Sequence, residues 1–284
     1  MIKMIASDMD GTLLNSVQQI SEENKAAILK AQAKGVEFVV ATGRSYQEAT
    51  YVLEEAGLKC PVICVNGAEV RSKEGEILSA TPISKQLARE VAATLGELDV
   101  YFEVYTDQGA CTVDADKAVN VLVDIVMSAN PEADRDEITH AAGARLRDGL
   151  VKVIDNYEIL FADENIQLYK MLVFSFDAEK LAAANTALAA FEDLAVAASG
   201  DENLEITNKQ AQKGIALESL AEASGIDISE TMAIGDNFND VSMFERAGRA
   251  IAMGNASFEI KALCDDITDT NNEHGVAKAI LEVL

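Results

Sequence analysis

Residues 7–16 read SDMDGTLLNS and follow a short apolar run, Met4-Ile5-Ala6. The run predicts a strand over Met4–Asp8 that delivers Asp8 and Asp10 to a turn at Gly11-Thr12. Carboxylates at the end of a buried strand cost desolvation free energy unless something compensates them. A turn accounts for the glycine but not for the acids, so the rest of the chain must decide between a turn and a site.

Downstream, strand and helix signals alternate. Ser21 to Lys34 reads as a helix closed by Gly35, Val36–Ala41 as a strand, Ser45 to Ala56 as a helix closed by Gly57, and Pro61–Val65 as a strand before Asn66-Gly67. The pattern resumes late, with a strand Thr231–Ile234 ending in Gly235-Asp236 and a helix Asn239–Ala247. A strand Arg249–Met253, a short one at Ile267-Thr268 and a helix Val276–Leu284 complete it. Near-continuous apolar strands separated by helices predict an α/β fold with a Rossmann-like, doubly wound parallel sheet.

Between these halves the character changes. Leu87, Val91, Leu95 and Leu98, then Val119, Leu122 and Val126, then Leu181, Ala184, Leu188 and Phe191 recur at helical spacing. Strand-like runs lie among them at Val100–Thr106, Gln167–Phe176, Leu194–Ala198 and Leu204–Thr207. The expectation is a core of residues 1–83 and 208–284 carrying an inserted α+β domain over 84–207.

In doubly wound sheets, ligands bind outside the carboxyl ends of the strands. Those ends carry Asp8 and Asp10, Thr42-Gly43-Arg44, Asn66-Gly67 and Asp236, which the topology would bring to one edge. Asp8, Asp10, Asp236 and Asp240 would then place up to four negative charges in one crevice, a repulsion that a divalent cation relieves. Oxygen-only ligands point to Mg²⁺. Neither His140 nor His274 lies in these segments, which argues against zinc.

An aspartate held at a metal is a competent nucleophile toward phosphorus. A second carboxyl two residues on can protonate the departing alkoxide and then activate water. Lys213, Thr42 and Asn239 could supply an ammonium, a hydroxyl and an amide to a phosphate. The backbones at Gly11-Thr12, Gly43-Arg44 and Gly67-Ala68 could add N–H donors. Each piece alone has a plainer reading: a turn for DxDG, TGR and NGA, solvated surface for Lys213-Gly214, and an Asx-rich helix start for GDNFND. It is their joint presence at strand ends that favours a site.

Composition sets outer bounds. The 284 residues include 23 Lys and Arg against 48 Asp and Glu, for a net charge of −25. Such a surface repels nucleic acid and anionic membrane, so neither is expected as a partner. It repels phosphorylated metabolites too, so a phosphate site must be locally positive. No apolar run approaches the roughly 18 residues of a membrane span. The N-terminal MIKMIASD meets an acid too early for a signal peptide, and a cytoplasmic location is expected. Cys60, Cys64, Cys111 and Cys264 form no CxxC and read as buried reduced thiols.

DMDGTLL at 8–14, ATGRS at 41–45, KG at 213–214 and GDNFND at 235–240 resemble the four motifs of the haloacid dehalogenase superfamily. VNGA at 65–68 and TNNEHGVAKAI at 270–280 resemble its Cof-type subfamily, whose members carry a type IIB α/β cap where the insert lies. The resemblance implies Asp8 as the nucleophile that becomes phosphorylated and Asp10 as general acid and base. It implies Mg²⁺ on the Asp8 carboxylate, the Asp10 carbonyl and Asp236, with Asp240 in support. Thr42, Gly43, Lys213 and Asn239 would hold the phosphoryl group. Asn208-Lys209 departs from relatives that often carry a proline there.

In the cap, Tyr105, Asp107 and the stretch through Thr112 could face the crevice, with a structural role the plainer reading. The implied function is a Mg²⁺-dependent phosphatase on small phosphorylated metabolites, with sugar phosphates as the first choice. A sugar phosphomutase is the alternative, disfavoured because no basic cluster stands out in the cap. A non-catalytic regulatory protein on the same scaffold is the third reading.

Overall fold

Buried apolar runs become the strands of the sheet. The first is β1 (Met4–Ser7), all of it buried. It is followed by α1 (Glu22–Ala33), β2 (Glu37–Ala41), α2 (Tyr46–Glu55) and β3 (Val62–Cys64). Both helices start where the sequence placed their caps. The Ser21 side chain accepts the N–H of Asn24, and Ser45 forms a capping box with Glu48. The computed structural model describes residues 1–129, 134–197 and 202–284.

The chain then adds two short strands, β4 (Glu69–Arg71) and β5 (Ile77–Ala80), before it leaves this unit. The insert runs through α3 (Lys85–Glu97), β6 (Tyr101–Thr106), β7 (Gly109–Thr112), α4 (Ala115–Ala129) and α5 (Arg135–Arg147). It continues with β8 (Val151–Val153), α6 (Glu158–Ala162), β9 (Leu168–Phe174), α7 (Ala178–Leu188), β10 (Leu194–Ala197) and β11 (Asn203–Asn208). Ala198, the expected end of one strand, lies outside the described residues. The return segment supplies α8 (Lys213–Ala223), β12 (Thr231–Gly235), α9 (Val241–Phe244), β13 (Arg249–Ala252), α10 (Phe258–Lys261), β14 (Asp266–Ile267) and α11 (Gly275–Glu282).

Two compact units result, one of Met1–Thr81 with Gln210–Leu284 and the other of Pro82–Lys209. In the first, eight strands run in the order β14-β13-β12-β1-β2-β3-β4-β5. Pairing is parallel from β14 through β3, so β1 lies between β12 and β2. The expected parallel sheet gains an antiparallel edge, because β3 pairs with β4 and β4 with β5 in that sense. Met4, Ala6, Val39, Ala41, Ile63, Leu217 and Ala233 pack in one core of this unit. In the second unit, six strands in the order β10-β11-β9-β6-β7-β8 carry a core that includes Val91, Leu95, Val104, Met171 and Leu188.

Three expectations change. The predicted helix Asn239–Ala247 shrinks to a tight turn at Phe238–Asp240 followed by α9. The chain curls up after α9, where the amides of Arg246 and Ala247 both donate to the carbonyl of Met243. In the insert, α5 appears where no apolar stripe announced a helix. Of the four thiols, three are buried and Cys264 is half-buried; all are free. No described helix is long and apolar enough to cross a membrane.

The start of α8 lies against α9 at backbone distance. A methyl group added at Gly214 would collide with the carbonyl of Ser242, whose hydroxyl accepts the Gly214 N–H at 3.0 Å. Gly96, near the end of α3, has open space where its methyl would go. Gly214→Ala should therefore destabilise the protein by roughly 1–3 kcal/mol through overpacking. Gly96→Ala should stabilise it by roughly 0.5–1 kcal/mol through lower unfolded-chain entropy. Urea unfolding of both variants checks the pair, and equal signs would refute the packing argument.

Candidate active site

The parallel strands β12, β1, β2 and β3 end side by side and release Asp236, Asp8, Thr42 and Asn66 at one edge of the sheet. Asp8 still belongs to the ladder, since its N–H donates to the carbonyl of Ile234 at 2.9 Å. The residue is only 5% exposed. Immediately after it the backbone coils through Met9–Leu13, with Gly11 at φ 78°. A methyl at Gly11 would run into the carboxylate of Asp236, so this position needs glycine for both its conformation and its closeness.

Lys213, the first residue of α8, has no solvent exposure. Its Nζ lies 2.5 Å from Asp8 Oδ1 and 2.7 Å from Asp240 Oδ1. The plainer reading of a solvated lysine is thus overturned. The other oxygen of Asp240 accepts the N–H groups of Asp236 and Asn237 at 3.0 and 3.1 Å. Asp236 in turn accepts the Thr12 hydroxyl at 2.8 Å.

Asp8, Asp236 and Asp240 each offer a carboxylate oxygen, all within 4.8 Å of one another. Three carboxylates less the one ammonium of Lys213 leave a formal charge of −2 (−3 + 1). Burial and this crowding of charge together set the titration shifts. Burial above all, with Asp240 and Asp236 adding, pushes the Asp8 carboxyl well above the usual range, while Lys213 opposes. Burial likewise raises Asp236, to about 6, against the Thr12 hydrogen bond. Burial works against the Lys213 ammonium, yet Asp240 and Asp8 outweigh it and hold its proton more firmly than in water. The cluster retains protons chiefly because it is buried, with the neighbouring carboxylates adding to the effect.

Asp10 lies outside this close trio, although its charge still helps to raise Asp236. Its carboxylate is exposed and bridged on both oxygens by Arg44, from Nε at 2.8 Å and Nη2 at 2.5 Å. Gln18 accepts from the same Nη2 at 2.5 Å. Thr42 is buried and its Oγ1 accepts the Arg44 N–H at 3.1 Å. Gly43 runs beside the Asn66 amide, and exposed Asn239 donates to Asn66 Oδ1 at 3.2 Å. The structure therefore gathers Asp8, Asp236, Asp240 and Lys213 tightly and ties Asp10 to Arg44.

Three contributors escaped the sequence reading: the Arg44 guanidinium, the Thr12 hydroxyl and the Asn66 side chain. The signal for each was present, since all three sit inside quoted motifs at strand ends, where their backbones alone were considered. The insert residues singled out earlier are engaged within their own unit. Tyr105 lies under Lys170 Nζ, 4.6 Å from the ring centre, and Asp107 accepts the Gln167 N–H at 2.9 Å. Thr112 shares a hydrogen bond of 2.8 Å with the Tyr101 hydroxyl.

Residues 5–280 match the family of haloacid dehalogenase-like hydrolases. The chain belongs to that family. It is 40% identical over its whole length, and over all of the relative, to the phosphatase YwpJ of Bacillus subtilis. It is 37% identical, covering all of this chain and 98% of the relative, to a 5-amino-6-(5-phospho-D-ribitylamino)uracil phosphatase, YwtE, of the same organism. A solved haloacid dehalogenase-like hydrolase from B. subtilis superposes with a TM-score of 0.87 at 40% identity, with both chains fully covered.

Haloacid dehalogenase-like hydrolases typically use a divalent metal, and the donors here fit one. They are all oxygens, as hard cations prefer, and the residual charge equals that of one divalent ion with opposite sign. Asp8 and Asp236 are the better candidates for direct ligands, because both oxygens of Asp240 already accept hydrogen bonds.

Removing the cation at its centre exposes how much the cluster depends on it. Lys213→Met should cost about 3–5 kcal/mol at pH 7 in chelator, since it leaves carboxylates buried and unpaired. Chemical denaturation checks this, and a loss under about 1 kcal/mol would contradict the charge argument.

Proposed function

We propose that this hydrolase is a Mg²⁺-dependent phosphatase that acts on small phosphorylated metabolites through an aspartyl-phosphate. The observation that carries the reading is the buried Asp8 carboxylate on Lys213, beside Asp236, in a cluster short of positive charge. When bound, Mg²⁺ would supply that charge and draw a phosphate oxygen toward the nucleophile.

In the first step an Asp8 oxygen forms a bond to phosphorus while the ester P–O bond breaks. Asp10, first protonated from solvent at the rim, gives that proton to the departing alkoxide. In the second step Asp10 takes a proton from water, whose oxygen attacks phosphorus and frees phosphate and the Asp8 carboxylate. Lys213 fixes the attacking carboxylate in place, and Arg44 holds Asp10 at the rim of the site. Asp236 is the further metal ligand, with the Asp10 carbonyl joining it. Asp240 supports the shell, and Thr42, Gly43 and Asn239 face the phosphoryl group.

For the substrate, a phosphorylated polyol or sugar is the class we favour. The name of the 37% identical relative includes a phosphorylated ribityl chain, which shares that chemistry with sugar phosphates. Hydrolysis is preferred to a mutase because the buried Lys170 and the half-buried Arg145 of the insert each face a carboxylate. Arg145 lies 3.7 Å from Glu103, and Lys170 lies 3.6 Å from Glu205. The strong negative charge supports small molecules over nucleic acid or membrane, and four free thiols suit a reducing cytoplasm.

Wild-type protein should hydrolyse p-nitrophenyl phosphate with Mg²⁺ and stop in excess chelator. Asp8→Asn should lower kcat roughly 10³-fold or more, because an amide is no nucleophile. Full activity in that variant would end the proposed mechanism. Among metabolites, kcat/KM on a panel of sugar and polyol phosphates should exceed that on nucleotides.

Metal binding should also be visible without turnover. Asp236 titrates near 6 in the folded protein against 3.8 in the open chain, so ionising it costs metal-free stability. That contribution is intact below about pH 4 and fades as pH rises through about 6. Mg²⁺ competes with the proton, so its upward shift of Tm should be larger at pH 7 than at pH 5. Asp236→Asn should shrink the difference, and an equal shift at both pH values in wild type would refute the assignment.

A further inference from the structure

The segment TNNEHGV at 270–276 has no part in the chemistry above, yet its side chains reach the loop that carries it. After Asp8 the backbone coils irregularly, with the Leu13 N–H donating to the Asp8 carbonyl and the Leu14 N–H to the Met9 carbonyl. Three carbonyls of this coil are taken by three different asparagine amides. Asn255 Nδ2 donates to Gly11 O at 2.8 Å, Asn24 Nδ2 to Leu13 O at 3.2 Å, and Asn271 Nδ2 to Leu14 O at 2.8 Å.

These anchors are themselves tied together. The backbone N–H of Asn271 donates to Asn255 Oδ1 at 3.0 Å, and that of Ala277 to Asn24 Oδ1 at 2.9 Å. The Ser16 N–H, at the far end of the loop, donates to Asn272 Oδ1 at 2.9 Å. An asparagine amide can donate and accept at once, which lets one side chain couple two backbone segments.

We propose that Asn255 and Asn271 are positioning residues for the nucleophile loop, joining the 254–255 and 270–277 segments to the carbonyls of Gly11 and Leu14. Gly11 is the sensitive point. Its Cα stands against Asp236, and the next residue, Thr12, donates to that same carboxylate. A shift of the Gly11 peptide changes the spacing between the Asp8 strand end and Asp236, and it carries Asp10 with it. Misplacement of reacting groups by about 1 Å can cost roughly 10²-fold in rate. The role in catalysis rests on the phosphatase reading; the anchoring of the loop does not.

The test is Asn255→Asp, which keeps an acceptor for the Asn271 N–H but replaces the donor to Gly11 with a carboxylate. Asn271→Asp does the same at Leu14. Asn165→Asp, on an exposed turn of the insert, controls for the added charge. Amide hydrogen exchange over residues 9–16 should quicken about 10-fold or more in the first two variants and not in the control. With p-nitrophenyl phosphate and Mg²⁺, kcat should fall roughly 10- to 100-fold while KM changes less than about threefold and the folded fraction holds.

Unchanged exchange over 9–16 in both variants would overturn the anchoring. Faster exchange with unchanged kcat in an active enzyme would overturn the catalytic role. If the wild type shows no phosphatase activity at all while exchange responds as expected, the phosphatase reading fails and the anchoring stands.

Discussion

The site is organised around an ammonium ion sealed from water between two carboxylates. Taking such charges out of water costs several kcal/mol per ion, which good geometry and further hydrogen bonds must offset. Both conditions are met, with contacts of 2.5 and 2.7 Å and two backbone N–H groups on the second oxygen of Asp240. Lys213 is at the N-terminal end of α8, where the helix dipole disfavours a cation. Helix propensity therefore does not explain a lysine there, and the carboxylates do. The demand spreads outward: Gly214 must be small so that α8 can bring Lys213 in beside Ser242, and Gly11 so that the loop can pass Asp236.

Much of this was legible because burial leaves marks on sequence. The runs at Met4, Glu37, Val62 and Thr231 are apolar enough to reveal strands, and Ser21 and Ser45 reveal helix starts. Strand-end motifs then placed Asp8, Thr42 and Asp236 on one edge without any coordinates. The failures have physical reasons too. α5 is polar on nearly every side and buries only Ala142, so it carries no periodic signal. β4 is three residues long, too short for alternation to register. The burial of Lys213, and the pairing of Asp10 with Arg44 across 34 positions, depend on which segments meet in space. No local pattern encodes that.

The spacing of two between Asp8 and Asp10 also misleads if read as one shared environment. β1 ends at Ser7, just before both, and the coil at Met9–Leu13 turns the second acid away from the first. The Asp8 side chain is 7% exposed, whereas the Asp10 side chain is 49% exposed. The division suits a reaction that needs a dry nucleophile and a proton carrier in contact with water. Arg44 then has a double use, holding Asp10 at the rim and offsetting its charge, although Asp10 still helps to raise Asp236.

Charge accounting narrows how an anionic substrate could be received. At physiological salt the Debye length is about 8 Å, so the overall charge of −25 chiefly slows the approach of an anion. Affinity is set within a few ångströms, and there both cations are already matched, Lys213 by Asp8 and Asp240 and Arg44 by Asp10. A phosphate dianion placed beside the remaining −2 would be repelled by the chain's own side chains. Backbone N–H groups soften this without reversing its sign, since each carries only a partial charge. The proposed dependence on a divalent ion thus follows from the arrangement of fixed charges as well as from the identity of the donors, and removing either Lys213 or an acid would change how strongly the protein needs it.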